Sequence, residues 1–320
     1  NNIQHMDQLL GELLAKLEAD GLADNTIIIW TTDHGDGLPR AKREVYDSGI
    51  KVPLVVYWPE RFRPGNPEES QIDDRLVSFI DIGPSILKIA GVEIPDYMQG
   101  TAQLALPPAP EQDYIYASKD RLDEFTFRER AVRNKQYKYI LNLMPGKPGA
   151  QHISYRDQLP MMMELWQQYE AGNLNSVQRF WFEPRPEHEL YDIVADPYEV
   201  NNLAGNPEYS KILEQMQNAL ESWRSSMPDY SEKSELEMAR EFWPEGVQPV
   251  TSPPVLEISN NNRITIVPTD SNDSIGYRVN NGRWKIYSRP FVPPVGSSIL
   301  AKAVRYGWAE SPVVSADLPE

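Results

Sequence analysis

Apolar residues recur at helical spacing over the first 20 residues and then form short consecutive runs. The helical set is Ile3, Met6, Leu9, Leu10, Leu13, Leu14 and Leu17. This spacing predicts an amphipathic helix that ends near Gly21. The runs at residues 27–30 and 52–58 predict strands buried on both faces, as in a parallel sheet covered by helices. Together with a turn and helix predicted over residues 77–91, this order is typical of α/β domains.

A different pattern follows a proline-rich break at residues 101–113. Three short pieces predict strands, at residues 113–118, 130–132 and 137–141. Helical spacing predicts two helical stretches, at residues 157–180 and 207–226. This mixture indicates a smaller α+β subdomain packed on the first domain.

From about residue 257 the apolar pattern changes to a period of two, which is typical of strands. The turn Asn280-Asn281-Gly282 between two alternating segments predicts a β-hairpin. We therefore expect a small all-β module, a β-sandwich, at the end of the chain. The predicted domain boundaries are 1–105 for the α/β part, 106–228 for the α+β subdomain, 229–256 for a linker and 257–320 for the β module.

Composition narrows the possible functions of the 320 residues. A formal net charge of −16 argues against a general nucleic-acid binder, because the average field repels phosphate. No apolar run approaches the roughly 20 residues of a membrane span. The chain has no cysteine, so disulfides, thiolate metal sites and a cysteine nucleophile within it are excluded.

Polar residues follow the first predicted strand at once, where ligands bind in open α/β sheets. Asp33 and His34 can offer a carboxylate oxygen and an imidazole nitrogen to a divalent cation. Shortly after them, Arg40, Lys42 and Arg43 place three positive charges within four residues, which suits an oxyanion. The alternative is structural: an aspartate after a strand is often a helix cap, and basic clusters are often solvated.

Five ordered segments resemble the sulfatase family. They are residues 5–11 (HMDQLLG), 24–35 (DNTIIIWTTDHG), 46–54 (YDSGIKVPL), 77–87 (VSFIDIGPSIL) and 189–204 (ELYDIVADPYEVNNLA). The stretch at residues 38–43 further resembles the branch related to heparan N-sulfatases and bacterial polysaccharide sulfatases.

The resemblance implies an alkaline-phosphatase-like α/β fold, a mixed sheet with helices on both faces, followed by a C-terminal α+β subdomain. It implies hydrolysis of a sulfate ester or sulfamate by a formylglycine, with Ca²⁺ holding the sulfate. Asp33 and His34 carry over as metal ligands. Lys42 carries over as the cation that contacts the sulfate, with Arg40 as the alternate.

One departure matters. The family makes formylglycine from cysteine or serine in a short motif that ends in arginine. This chain has no cysteine, and no serine fits the motif. We therefore expect it to be the C-terminal portion of a sulfatase, inactive alone. The N-terminal half, with the nucleophile and the other metal ligands, would be a missing segment or a companion chain.

Two further places are candidates for sugar binding. The mixed-charge loop at residues 119–124 contains Arg121 and Asp123, and in this branch a comparable stretch lies near the mouth of the active site. A surface salt-bridge loop is the alternative. His152 is a candidate for the substrate cleft, with a structural role as the alternative.

The resulting hypothesis is a Ca²⁺-dependent sulfatase acting on a sulfated polysaccharide or oligosaccharide, with no nucleic-acid partner and no membrane span. A periplasmic or secreted location follows from the family and the substrate class. The alternatives are a metal-dependent phosphoesterase of the same superfamily, with Zn²⁺ or Mn²⁺, and a non-catalytic glycan-binding protein.

Overall fold

A computed structural model describes residues 2–63 and 72–319. Its α-helices are α1 (Asn2–Ala19), α2 (Asp47–Ile50), α3 (Ile82–Ile89), α4 (Pro160–Glu170), α5 (Ser176–Arg179), α6 (Ser210–Ser225) and α7 (Glu235–Phe242). Its strands are β1 (Ile28–Thr31), β2 (Leu54–Tyr57), β3 (Ile115–Leu122), β4 (Phe125–Arg133), β5 (Tyr137–Asn142), β6 (His188–Asp192), β7 (Val255–Ile258), β8 (Ile264–Val267), β9 (Ser274–Val279), β10 (Lys285–Ile286), β11 (Ser298–Val304) and β12 (Val314–Asp317).

The chain forms two compact units, Asn1–Asp229 and Tyr230–Glu320. The first unit contains the predicted α/β part and α+β subdomain. In the second unit, α7 lies within the stretch predicted to be a linker. The four domain boundaries drawn from sequence remain a prediction.

The helix predicted at the start of the chain is confirmed as α1, but the expected parallel pairing of the next two strands is wrong. β1 and β2 pair antiparallel, with Ile28 opposite Tyr57. A parallel pair needs a crossover, usually a long helix, and the connection here holds only the four residues of α2. β1 and β2 are also incompletely buried: Val55 is 54% exposed.

The second half of the first unit is built on the antiparallel sheet β3-β4-β5-β6. Helix α6 covers one face, because its apolar stripe meets the alternating apolar residues of the strands. The fully buried members of this cluster are Val132, Tyr139, Leu190, Met216 and Leu220. At its edge, Tyr116 stacks on Trp223 with ring centroids 4.9 Å apart. The α/β class is thus confirmed, with several antiparallel sheets.

A buried charge network links this sheet to α2. Lys138 of β5 is fully buried, and its Nζ lies 2.5 Å from Asp47 Oδ1 and 2.9 Å from Glu199 Oε1. Arg133 of β4 holds the same Asp47 at 3.1 Å. A single charge at such depth would be costly, so each member depends on its partners.

We predict that acid destabilises the first unit. Burial alone would raise the pKa of Glu44 and that of Asp47. The nearby charge of Lys119 nevertheless lowers the pKa of Glu44 below its ordinary 4.5, and the charge of Lys138 lowers the pKa of Asp47 below its ordinary 3.8. Their stabilisation is present above those ordinary values and is lost as the pH falls through the folded values. Burial raises the pKa of Glu199. Of these three carboxyl groups, Glu199 is therefore the one whose protonation at low pH favours the folded state.

The check is urea unfolding at pH 7, 5 and 3, with hydrogen exchange in β5 to follow the first unit alone. We expect the midpoint to be lowest at pH 3. Equal midpoints at pH 7 and pH 3 would show that these ion pairs contribute no net stability.

The second unit contains the predicted β module. Its main sheet has the order β10-β9-β11-β12, and β7 pairs separately with β8. The hairpin predicted around Asn280 is confirmed, since β9 and β10 pair antiparallel. The alternating residues Ile275, Ile299, Ala301 and Ala303 point into one core with Ile264, Ile266 and Leu318.

Among the helices within residues 2–63 and 72–319, none is long and apolar enough to span a bilayer.

Candidate active site

The candidate site lies in the loop between β1 and β2, residues 32–53, which we call the site loop. Asp33 and His34 follow β1 after one intervening residue, Thr32. The Asp33 side chain is 81% exposed and the His34 side chain 37% exposed. Both are therefore available to a ligand, as expected for polar residues at a strand end.

The site loop is folded back on itself by two close backbone contacts. The N–H of Gly35 donates to the carbonyl of Gly49 at 2.9 Å, and that of Lys42 donates to the carbonyl of Asp36 at 3.0 Å. A Cβ at position 35 would lie 1.9 Å from the Ser48 carbonyl oxygen, so only glycine fits there. These contacts bring the Asp33-His34 pair and the basic residues into one folded loop.

The Asp33-His34 pair has the chemistry of two metal ligands. His34 Nδ1 lies 2.6 Å from the Gly35 carbonyl, so in the neutral ring the proton sits on Nδ1. His34 Nε2 is then left with a lone pair, 3.4 Å from Asp33 Oδ2. Two electron-pair donors at this separation can be bridged by a cation. The residues present fit part of a divalent-cation site.

They do not make a complete one. Ca²⁺ takes six to eight oxygen ligands. Within the described ranges, no group of three or more His, Cys, Asp or Glu side chains is arranged to hold a metal ion.

The basic residues of the site loop have different environments. The Nζ of Lys42 lies 5.5 Å from the centroid of the Tyr155 ring. In the part of the chain that the structure describes, Lys42 Nζ makes no ion pair, which leaves it available for an anion. Arg43 is bound: its Nε lies 3.0 Å from Asp123 Oδ2.

Arg40 is occupied by a structural role. Its guanidinium donates to the carbonyls of Tyr198 at 2.7 Å and Glu199 at 2.6 Å. Its Cζ also lies 3.8 Å from the centroid of the buried Tyr46 ring. Arg40 therefore attaches the site loop to the turn at residues 196–199, which we call the Asp-Pro turn.

The same turn holds the other end of the site loop. Glu199 Oε2 accepts a hydrogen bond from the backbone N–H of Asp47 at 2.5 Å. The turn is itself fixed by Asp196, whose Oδ2 accepts from the N–H groups of Val200 and Asn201 at 2.9 and 2.8 Å. The 189–204 segment, although far from the site loop in sequence, thus fixes the loop by direct hydrogen bonds.

The two candidate sugar-binding places lie beside each other. Asp123 and Glu124 form the tip of the β3–β4 hairpin, and Arg121 lies at the end of β3 opposite Thr126. Glu124 accepts hydrogen bonds from the N–H of Ser154, at 3.0 Å, and from its hydroxyl. This contact brings the hairpin tip to the turn that carries His152.

His152 is held in a fixed orientation. Its Nδ1 lies 2.7 Å from Asp157 Oδ2, and its ring stacks on Trp166 with centroids 3.9 Å apart. Trp166 Nε1 donates to the other oxygen of Asp157 at 3.2 Å. The His152 side chain remains 64% exposed. Sequence reasoning identified the histidine but missed its two partners; Trp166 is 14 residues away and gave no signal.

Glu44 belongs to the site loop, and its buried side chain fixes the backbone of that loop. It lies 3.0 Å from Lys119 Nζ and accepts from Trp181 Nε1 at 3.4 Å. Both charged side chains are almost fully buried. This pair, which sequence alone did not indicate, anchors the stretch between Lys42 and α2 to the β3–β4 sheet.

The first unit has a mixed α/β fold with antiparallel sheets, and the site loop follows its first strand. The family model described as Sulfatase matches residues 1–92, which include Asp33, His34 and Lys42. Residues 1–92 therefore form part of a sulfatase domain.

Similarity extends beyond that segment. The chain is 39% identical to an ulvan-active sulfatase of Formosa agariphila, over 98% of this chain and 53% of the relative. It is 26% identical to the N-sulphoglucosamine sulphohydrolase of Homo sapiens, over 69% of this chain and 46% of that protein. The chain therefore spans about half the length of the curated relatives it matches.

A solved structure described as a 2-O GAG sulfatase shares the fold. Its TM-score is 0.51 and its sequence is 22% identical. The superposition covers 72% of this chain and 42% of the chain in that structure.

Proposed function

We propose that this chain supplies part of the active site of a sulfatase that hydrolyses sulfate esters of a polysaccharide or oligosaccharide. The observation that carries the proposal is the Asp33-His34 pair at the end of β1, in which His34 Nε2 lies 3.4 Å from Asp33 Oδ2. The family match over residues 1–92 and the 39% identical relative support it.

In this proposal Asp33 and His34 hold a divalent cation, Ca²⁺, together with ligands from outside the 320 residues. When bound, the cation would neutralise sulfate oxygens and the negative charge that grows on them during hydrolysis. Lys42 would contact the same sulfate, because its ammonium group has no ion pair within residues 2–63 and 72–319. Arg40 is the weaker choice, because carbonyl groups occupy its guanidinium.

The nucleophile, a formylglycine, and the remaining ligands would come from the N-terminal half of the sulfatase. The chain's share of about half of its relatives supports this arrangement. So do the exposed apolar side chains of α1 and β2: Leu9 is 52% exposed, Leu13 64% and Val55 54%. Faces of this kind normally pack against further protein. We propose that the N-terminal half covers them.

Sugar recognition would fall to the hairpin tip and the His152 turn. Asp123 and Arg121 can hydrogen-bond hydroxyl groups, and His152 presents Nε2 while Asp157 holds its Nδ1. Because a polysaccharide does not cross a membrane, we propose a periplasmic or secreted location.

The test is a sulfate-release assay on the complete gene product that contains these residues, with ulvan as substrate. We expect free sulfate by ion chromatography, bound calcium by mass spectrometry, and loss of activity on chelation that added Ca²⁺ restores. Absence of sulfate release despite a verified formylglycine would contradict the proposal. Two transition-metal ions per site would instead favour a phosphoesterase.

A further inference from the structure

One stretch of the second unit departs from the acidic character of the chain. Residues 274–309, which we call the basic segment, contain six of the 31 basic residues and none of the 47 acidic residues. They are Arg278, Arg283, Lys285, Arg289, Lys302 and Arg305. In a chain of net charge −16, such separation produces a local positive field on this part of the module.

Three of these cations lie on strands of one sheet: Arg278 on β9, Lys285 on β10 and Lys302 on β11. β9, β10 and β11 are adjacent in the sheet, so Arg278 of β9 lies opposite Leu300 of β11, two residues from Lys302. Two of the six cations are neutralised locally: Lys302 lies 2.6 Å from Glu310, and Arg305 lies 2.8 Å from Asp270. Arg278, Arg283, Lys285 and Arg289 make no ion pair within the described parts of the chain.

A tryptophan lies among the cations. Trp284 is 39% exposed, with Lys302 Nζ 4.8 Å and Arg278 Cζ 5.2 Å from its ring. The indole sits against Gly276, where an added Cβ would lie 3.6 Å from it. The next residue but one, Ile286, is 83% exposed, so apolar surface continues along β10.

We infer that the face around Trp284, with Arg278 and Arg283 as its cations, binds a sulfated polysaccharide. Sulfate groups are permanent anions that a guanidinium or ammonium group can pair with. The C–H faces of pyranose rings are apolar and suit contact with an indole. A sulfated sugar carries both features, an anion for the cations and an apolar ring face for the indole, so it matches this surface.

This inference rests on the proposed function only for the choice of a sulfated glycan over other polyanions. The face is remote in sequence from Asp33 and contains no catalytic group. Its role would be to retain the polymer while the active site works, raising the local substrate concentration.

The test is isothermal titration of the 320-residue chain with ulvan, at 50 mM and 200 mM NaCl. We expect binding that weakens as salt rises, because exposed charge pairs are screened. Trp284→Ala and Arg283→Gln should each weaken binding, with about a tenfold loss for Trp284→Ala, the scale of one lost stacking platform. Arg263→Gln, an exposed arginine outside the basic segment, is the matched control and should bind as the parent does.

Thermal melting of each variant separates misfolding from loss of contact, and the exposed Arg283 tests the idea even if Trp284→Ala unfolds. Equal weakening by Arg263→Gln, or equal affinity for chemically desulfated ulvan, would overturn the inference. Tighter binding of single-stranded DNA than of ulvan would also overturn it. Since no turnover is needed, retained binding with failed sulfate release would refute the proposed function alone.

Discussion

Asp33→Asn in the complete protein is expected to lower sulfate release roughly 10²–10³-fold, because one charged metal ligand is worth several kcal/mol of transition-state stabilisation. Asparagine keeps the shape of the side chain and removes its charge. Asp33 is 81% exposed and makes few internal contacts, so the fold should survive. The measurements are steady-state kinetics on ulvan and calcium content per protein.

Asp36→Asn is the matched control for this prediction. Asp36 is exposed in the same loop, and within the described parts of the chain its one hydrogen bond is made by its backbone carbonyl, which accepts from the N–H of Lys42. This variant should retain activity within a few fold. If both variants lose activity equally, the effect belongs to loop charge in general, and Asp33 is not a ligand.

Lys138→Met is expected to destabilise the first unit by about 3–5 kcal/mol, the cost of removing one partner from a buried ion pair. Glu199 is left nearly fully buried without its cation, whereas Asp47 retains Arg133. Burial already raises the pKa of Glu199, and loss of Lys138 should raise that pKa further, so that the group takes up a proton on folding. Hydrogen exchange of the β5 amides measures the change in free energy of unfolding.

Lys135→Met provides the comparison. Lys135 also contacts two carboxylates, Glu111 at 2.6 Å and Asp74 at 3.2 Å, but its side chain is 47% exposed. Its loss should lower the free energy of unfolding far less than the loss of Lys138, because exposed ion pairs contribute little. Equal protection of β5 in the two variants would show that the buried network adds nothing to the stability of the fold.

Local patterns in the sequence predicted what local physics determines. The helical spacing at the start of the chain, the alternation of β9 and β11 and the Asn280 turn each depend on nearby residues, and all three elements are present. The position of Asp33 after β1 was predicted for the same reason, since a strand that ends in polar residues marks an edge of a sheet. The metal-ligand roles proposed for Asp33 and His34 depend on the family resemblance.

Contacts between distant segments were not predictable in this way. The guanidinium of Arg40 meets carbonyls 158 residues further along, and nothing near residue 40 indicates that its charge is used there. Lys138 alternates with apolar neighbours and resembles an outward-facing strand residue, yet its partners on α2 and at Glu199 bury it completely. The antiparallel pairing of β1 with β2 likewise depends on how the site loop folds back, which no periodicity encodes.

The attachment of the site loop to residues 198 and 199 affects the order in which the molecule can assemble during synthesis. These contacts have large sequence separation, so their loop-closure entropy is spent before they contribute any stability. Until a ribosome has released the chain beyond residue 199, Arg40 and the N–H of Asp47 have no partners. The Asp33-His34 pair should therefore take its final arrangement only late in translation, after the strands that flank it have formed.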